Sequence, residues 1–173
     1  NDTYSKERYK LMTVKQSFAL KLYELVDKIT ASRVTKFMSI TKSIIPNYAK
    51  VLNIDPSNVE VIYRGRNIDD LRARVVDNKL EELEHQYGNG PIILTVSRLL
   101  IRKGYNESIT AMKNVISLHP NVKYLIAGEG HDRSKFQNLI IQLGLQRNIF
   151  LLGNRNDVPS LMAFSTIFLF PSH

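Results

Sequence analysis

The hydrophobic positions of this chain change their period as it is read from one end to the other. Over residues 6–29, Leu11, Val14, Phe18, Leu22, Leu25 and Ile29 recur at intervals of three or four, with Lys15, Lys21 and Lys28 off that stripe. That spacing predicts one long amphipathic helix. A run rich in β-formers follows at 34–40. Thr41 then offers a side-chain oxygen to cap a second helix, and Asp55-Pro56-Ser57-Asn58 marks a turn. Residues 59–63 read as a strand, broken by Arg64-Gly65-Arg66-Asn67.

A charged helical stretch covers about 69–86 and ends at the Gly88-Asn89-Gly90-Pro91 breaker. Beyond it the pattern becomes regular. Apolar strands at 92–97, 122–127, 149–152 and 167–170 alternate with helical segments. The helix at 106–118 carries Ile109, Met112 and Ile116 on one face. Asp132 caps the next, at 132–143, and Gly144 terminates it; Asp157 opens a short one with Pro159 in its first turn. Apolar strands separated by amphipathic helices predict a parallel sheet covered on both faces, with right-handed crossovers. The fold class is α/β, a Rossmann-like parallel sheet flanked by helices, preceded by a more helical segment. No internal repeat or low-complexity stretch is present.

Composition narrows the functional classes. The 173 residues are 43% hydrophobic and 23% charged, as in a globular protein. No apolar run approaches the roughly 18–20 residues a membrane helix needs. Cysteine is absent, which excludes disulfides, thiolate metal sites and a cysteine nucleophile, and fits a reducing cytoplasm. The net charge of +8 sits mostly at the front: residues 1–66 hold 12 Lys/Arg against 6 Asp/Glu, and 67–173 hold 12 against 10. A basic front segment suits an anionic partner such as a phosphorylated substrate or an anionic membrane surface, or is simply a solvated helix face. Nothing beyond charge points to nucleic acid, and no nucleic-acid partner is expected. His85, His119, His131 and His173 have no metal-ligand spacing, and no Ser-His-Asp set, paired carboxylates or P-loop is visible.

In a parallel α/β sheet, ligands bind at the carboxyl ends of the strands, where helix N-termini present free N–H groups. The first such end reads Ser97-Arg98-Leu99-Leu100-Ile101-Arg102-Lys103-Gly104. Arg98 at the strand end and Lys103 at the mouth of the helix can meet one anion, and Gly104 permits close backbone approach. A diphosphate suits that set; two solvated loop cations are the plainer alternative. The second end, Ala127-Gly128-Glu129-Gly130, is either a ligand cradle or a tight structural turn. The third, Gly153-Asn154-Arg155-Asn156-Asp157, offers amides and short polar groups to the edge of a base, with Asp157 also available as a helix cap.

Taken together, these elements resemble the GT-B glycosyltransferases, specifically the large retaining family often numbered four. The motifs that carry the resemblance are Val61-Ile62-Tyr63-Arg64-Gly65, Ser97-Arg98 with Arg102-Lys103-Gly104, and Leu125-Ile126-Ala127-Gly128-Glu129-Gly130. Leu151-Leu152-Gly153 with Asp157-Val158-Pro159, and Phe168-Leu169-Phe170-Pro171-Ser172, complete the set. The resemblance implies residues 1–63 as the end of an N-terminal, acceptor-side domain. It implies 64–90 as interdomain crossover and helical lead-in, and 91–173 as a truncated nucleotide-sugar-binding domain. Arg98 and Lys103 match the basic pair that grips the donor diphosphate and acts in catalysis. Gly104, Gly128, Gly130, Gly153, Asn154 and Arg155 complete the implied binding set.

The implied partners are a nucleotide sugar and a glycan or lipid-linked acceptor, with no metal and no separate cofactor. A peripheral contact with an anionic membrane is a further reading of the basic front segment. Relatives commonly have Asn-Gly-Val-Asp where this chain has Arg64-Gly65-Arg66-Asn67. The family's two glutamates fall beyond Pro171-Ser172-His173, so a fragment of a longer enzyme is expected. A non-catalytic nucleotide-binding module and a GT-B nucleotide-sugar epimerase are the alternatives.

Overall fold

The computed structural model describes residues 13–172, and the chain divides into two compact units, 1–66 and 67–173. The early part of the helix read at 6–29 lies outside the described residues. The rest forms α1 (Val14–Ala31), opened by a reciprocal capping box in which the Thr13 amide donates to Gln16 and the Gln16 amide to Thr13. The stripe that defined this helix is not its buried face. Leu20 and Ala31 are buried, whereas Val14, Phe18, Leu22, Leu25 and Ile29 are all exposed, Val14 to 90%.

The β-rich run at 34–40 shortens to β1 (Phe37–Ser39), which pairs in parallel with β2 (Val59–Val61). Thr41 does not cap the helix between them. Its hydroxyl accepts the Ser43 amide in a local turn, and α2 (Ile45–Leu52) starts later with Pro46 in its first turn. Proline is pre-set for that position, so the start shifts to it. Asp55 accepts the Ser57 amide (2.9 Å) and shapes the turn before β2.

The second unit begins with α3 (Ile68–Arg72), capped by Asn67, and α4 (Asp77–Tyr87). The single charged helical stretch is thus two helices, and both belong to this unit. The remaining elements are β3 (Ile92–Val96), α5 (Tyr105–Leu118), β4 (Lys123–Ala127), α6 (Arg133–Gln142), β5 (Ile149–Gly153), α7 (Val158–Phe164) and β6 (Ile167–Phe168). The four strands pair in parallel in the order β5-β4-β3-β6. The α/β reading of the sequence holds, with a last strand shorter than 167–170.

Alternation along the strands splits the core into two layers, as the period-two geometry of a strand requires. Ile93, Tyr124 and Ile126 pack with Tyr105, Ile109 and Met112 of α5 and with Phe136 and Ile140 of α6. Ile92, Leu94, Leu125 and Ala127 pack on the other side with Leu83 and Tyr87 of α4 and Leu161 of α7. Each fully buried side chain of this size contributes roughly 1.5–3 kcal/mol. The sheet is thereby held rigid, and its C-terminal edge becomes a fixed platform.

One buried polar chain crosses the first layer. Thr95 Oγ1 donates to the Leu169 carbonyl (2.6 Å) and lies 2.9 Å from the Tyr124 hydroxyl, which reaches Ser108 Oγ (3.3 Å). No buried side-chain nitrogen or oxygen among the described residues is left without a partner. Burial pushes the Tyr124 and Tyr105 phenols above their ordinary value, so both remain neutral donors.

Candidate functional site

The C-terminal ends of β3, β4 and β5 are stitched into one rim. The Ser97 amide donates to the Ala127 carbonyl (3.1 Å) and the Leu99 amide to the Glu129 carbonyl (3.0 Å). The Gly128 amide donates to the Gly153 carbonyl (2.7 Å). Gly128 and Gly130 are required by this stitching. A Cβ on Gly128 stands 2.1 Å from the Ser97 oxygen, and one on Gly130 stands 2.3 Å from the Leu99 oxygen. Backbone passes against backbone at both, so only glycine fits. The tight-turn reading of Gly128-Glu129-Gly130 therefore describes what these glycines do in the fold.

The Arg98–Lys103 loop is clamped from below. Leu99 is fully buried in the first core layer, and its carbonyl accepts the Asp132 amide (3.2 Å). Asp132 stands at the N-cap position of α6, yet its carboxylate makes no cap bond. It accepts instead from the Ile101 amide (3.0 Å) and from Lys135 Nζ (3.0 Å). The predicted cap is corrected accordingly: Asp132 satisfies an amide of the neighbouring loop rather than its own helix. These two bonds, Lys135 first, hold its carboxyl below the usual carboxylate range.

The cations of the rim fall into two groups. Arg133 pairs with Glu129 (2.7 Å) and also donates to the Leu151 carbonyl (3.0 Å), tying the β4–α6 turn to β5. Arg155 is engaged by Asp157 through its Nε (2.7 Å) and a second nitrogen. Asp157 makes no side-chain cap to α7, which corrects the second predicted cap, because the guanidinium has taken its oxygens. The Arg155 bond holds Asp157 below the usual carboxylate range. By contrast, no carboxylate pairs with Arg98, Arg102 or Lys103 among the described residues. Arg98 is exposed on the loop, and Lys103 has its ammonium 4.9 Å from the centre of the Phe170 ring.

Gly104 follows Lys103 in the left-handed region (φ 71°) and opens α5. A Cβ there would stand 2.0 Å from the Pro171 oxygen, so the loop is seated directly on the chain that leaves β6. Gly153 closes the third strand end (φ 74°), with the Glu129 carboxylate at its side. Asn154 is exposed and Asn156 likewise. The residues of the implied binding set, Arg98, Lys103, Gly104, Gly128, Gly130, Gly153, Asn154 and Arg155, thus follow the C-terminal ends of β3, β4 and β5 in one sheet, whereas the Val61–Gly65 motif belongs to the first unit or its boundary.

Sequence reasoning quoted Glu129 and Phe170 only inside motifs, without a role, and did not single out Arg133 or Thr95. The four-residue spacing of Glu129 and Arg133 was the one signal available for that pair. Thr95 and Phe170 read as ordinary strand residues.

Comparison with known proteins agrees with this geometry. Residues 77–173 match the model of glycosyl transferases group 1. An uncharacterized glycosyltransferase, MJ1059, of Methanocaldococcus jannaschii is 33% identical over 135 residues, which are 76% of this chain and 32% of that protein. The lipopolysaccharide glucosyltransferase WaaG of Escherichia coli K12 is 28% identical over 143 residues, 80% of this chain and 38% of WaaG. The chain therefore spans about a third of the length of these relatives. Among solved structures, that of WaaG superposes with a TM-score of 0.67 at 27% identity over 80% of this chain and 38% of that one. Anabaena Alr3699/HepE, solved in complex with UDP and glucose, gives 0.73 at 22% identity over 86% and 41%. The fold is that of the GT-B glycosyltransferases, and this chain belongs to the glycosyl transferases group 1 family.

Proposed function

We propose that this chain forms the donor-binding part of a glycosyltransferase that moves a sugar from a UDP- or GDP-sugar to a glycan or lipid-linked acceptor with retention, Arg98 and Lys103 holding the donor diphosphate. The observation that carries the reading is the charge inventory of the rim. Arg133, Lys135 and Arg155 are neutralised by their own carboxylates, whereas Arg98 and Lys103 stand on a clamped loop at the mouth of α5 with none among the described residues. An anion there meets two cations and the N-terminal end of a 14-residue helix.

In the reaction, the bond between the sugar's anomeric carbon and the diphosphate oxygen breaks. A bond to the acceptor hydroxyl oxygen forms, and that hydroxyl loses its proton. Negative charge grows on the departing diphosphate, and fixed cations on a rigid loop stabilise it without reorganising. Gly153, Asn154 and Arg155 stand where the base would lie. With Arg155 held by Asp157, recognition there falls to the backbone and to Asn154. Residues 1–63 are read as the end of the acceptor-side domain, 64–90 as the crossover and 91–173 as the nucleotide-sugar domain.

Relatives support both donor classes. A galactosyltransferase of Escherichia coli that uses UDP-Gal and acts on a diphosphoundecaprenol-linked sugar is 28% identical over 127 residues. A GDP-mannose-dependent mannosyltransferase of Corynebacterium glutamicum is 33% identical over 84 residues. A peripheral membrane contact is a second reading, favoured by the exposed Val14, Phe18, Leu22, Leu25 and Ile29 of α1 beside Lys15, Lys21 and Lys28. No described helix is long and apolar enough to cross a membrane.

The test is calorimetric titration of the full-length protein with UDP, GDP and ADP, beside Arg98→Ala, Lys103→Ala and the double variant that combines them. A charge-assisted hydrogen bond lost at either position weakens binding by about ten- to a hundredfold. Unchanged affinity in the double variant overturns the assignment of the diphosphate site.

A further inference from the structure

Phe170 is a large aromatic left 54% exposed at a strand end otherwise given to polar chemistry. Its backbone is nevertheless fixed on both sides. Before it, the Leu169 amide donates to the Leu94 carbonyl (2.8 Å), and the Leu169 carbonyl accepts the buried Thr95 hydroxyl (2.6 Å). After it, the Pro171 carbonyl is packed against Gly104, too close for any Cβ. The residue between those anchors has little backbone freedom, so the ring is presented rather than merely tolerated. What it meets is Lys103, whose ammonium stands 4.9 Å from the ring centre.

We propose that Phe170 is a positioning residue for Lys103: the face of its ring seats the ammonium and fixes the direction in which that charge is offered to the donor diphosphate. The inference rests on the diphosphate reading above. A free lysine has a long, rotamer-rich stem, and ordering it on a ligand costs entropy that a preformed seat removes beforehand. The ring attracts the cation electrostatically without neutralising it, which a carboxylate would do. That distinction separates Lys103 from Arg133, Lys135 and Arg155, each held by an acid. The buried chain from Ser108 through Tyr124 and Thr95 to Leu169 then has a consequence at the rim, because it sets where the Phe170 ring stands.

The experiment is a double-mutant cycle on the full-length protein, read as the dissociation constant of UDP and of GDP. Its members are the parent, Phe170→Leu, Phe170→Tyr, Lys103→Met and the Phe170→Leu/Lys103→Met pair. Phe170→Leu weakens binding about two- to fivefold, the strength of an exposed cation–π contact. Phe170→Tyr, which keeps the ring, restores the parent affinity. In the Lys103→Met background, Phe170→Leu has no further effect. Equal weakening by Phe170→Leu in both backgrounds shows a packing role and overturns the inference while leaving the diphosphate site standing. Failure of Phe170→Tyr to restore affinity also overturns it. Lys103→Met binding as tightly as the parent overturns the diphosphate reading and this inference with it.

Discussion

Gly104 and Gly144 share nearly the same positive φ and differ in what surrounds them, so together they measure the contact that seats the Arg98–Lys103 loop. Their φ angles are 71° and 70°. A Cβ at 104 stands 2.0 Å from the Pro171 oxygen and 2.8 Å from its carbonyl carbon, whereas nothing lies within 4 Å of one at 144. Alanine at 144 meets only the left-handed penalty, about 1–2 kcal/mol. Alanine at 104 meets the same penalty plus overpacking of about 1–3 kcal/mol, because the clash is with backbone and no rotamer relieves it. The expected total is about 2–5 kcal/mol at 104, a difference of about 1–3 kcal/mol between the variants.

Native-state hydrogen exchange at the Leu94 and Leu125 amides reads the opening free energy of the second unit. It does so without assuming that the whole chain unfolds in one step. Protection should fall modestly for Gly144→Ala and further for Gly104→Ala. UDP affinity should fall only for Gly104→Ala, since relief of the clash must displace either the loop or the Pro171 segment. Equal losses of protection at the two positions, or unchanged UDP affinity in Gly104→Ala, would refute the reasoning.

Two further outcomes are expected. Tyr124→Phe should cost about 0.5–1.5 kcal/mol and Thr95→Val about 1–3 kcal/mol by denaturant unfolding. The first leaves Thr95 bonded to the Leu169 carbonyl (2.6 Å) and Ser108 to the Tyr105 carbonyl (3.2 Å), while the second strips the donor from Leu169; the reverse order would sink the network argument. Asp132 and Asp157 are both depressed below the ordinary carboxylate value, by Lys135 and Arg155 respectively. A carboxyl lowered in the folded state contributes stability that is complete above its unfolded value of about 3.9 and is lost as pH falls through the folded value. Asp132→Asn and Asp157→Asn should therefore be less stable than the parent at pH 7 and converge with it in acid, and an acid limb unchanged in both variants would rule this out.

How much of this was legible in the sequence depended on which partner each residue meets. The strands of the second unit were legible because a fully buried parallel strand must be continuously apolar, and Ile92–Val96 and Lys123–Ala127 end within a residue or two of the expected bounds. The glycines were legible as turns, although no spacing could say that Gly130 faces the Leu99 carbonyl. The caps failed for one shared reason. A carboxylate at an N-cap position competes between its own helix amides and any stronger donor nearby; Lys135 and Arg155 stand three and two residues away in sequence, but only the fold shows that the acids turn to them. Asp132 found the Ile101 amide and Lys135, and Asp157 found a guanidinium, both worth more than a local cap. The stripe on α1 failed differently: periodicity identifies a helix face, but burial requires a partner, and on α1 Leu20 and Ala31 are the buried residues.

The same distinction explains the rim. Arg98 and Lys103 could be named from sequence because their position after an apolar strand and before a helix fixes them at the C-terminal rim of the sheet. What sequence could not supply was the contrast that makes them informative, namely that among the described residues the neighbouring Arg133, Lys135 and Arg155 are each paired with an acid, whereas Arg98, Arg102 and Lys103 are not. A basic residue is an anion site only in proportion to how little of its charge the protein has already answered. That quantity is a property of three strand ends meeting at one edge, reached through contacts such as Arg133 to Leu151 that span 18 residues.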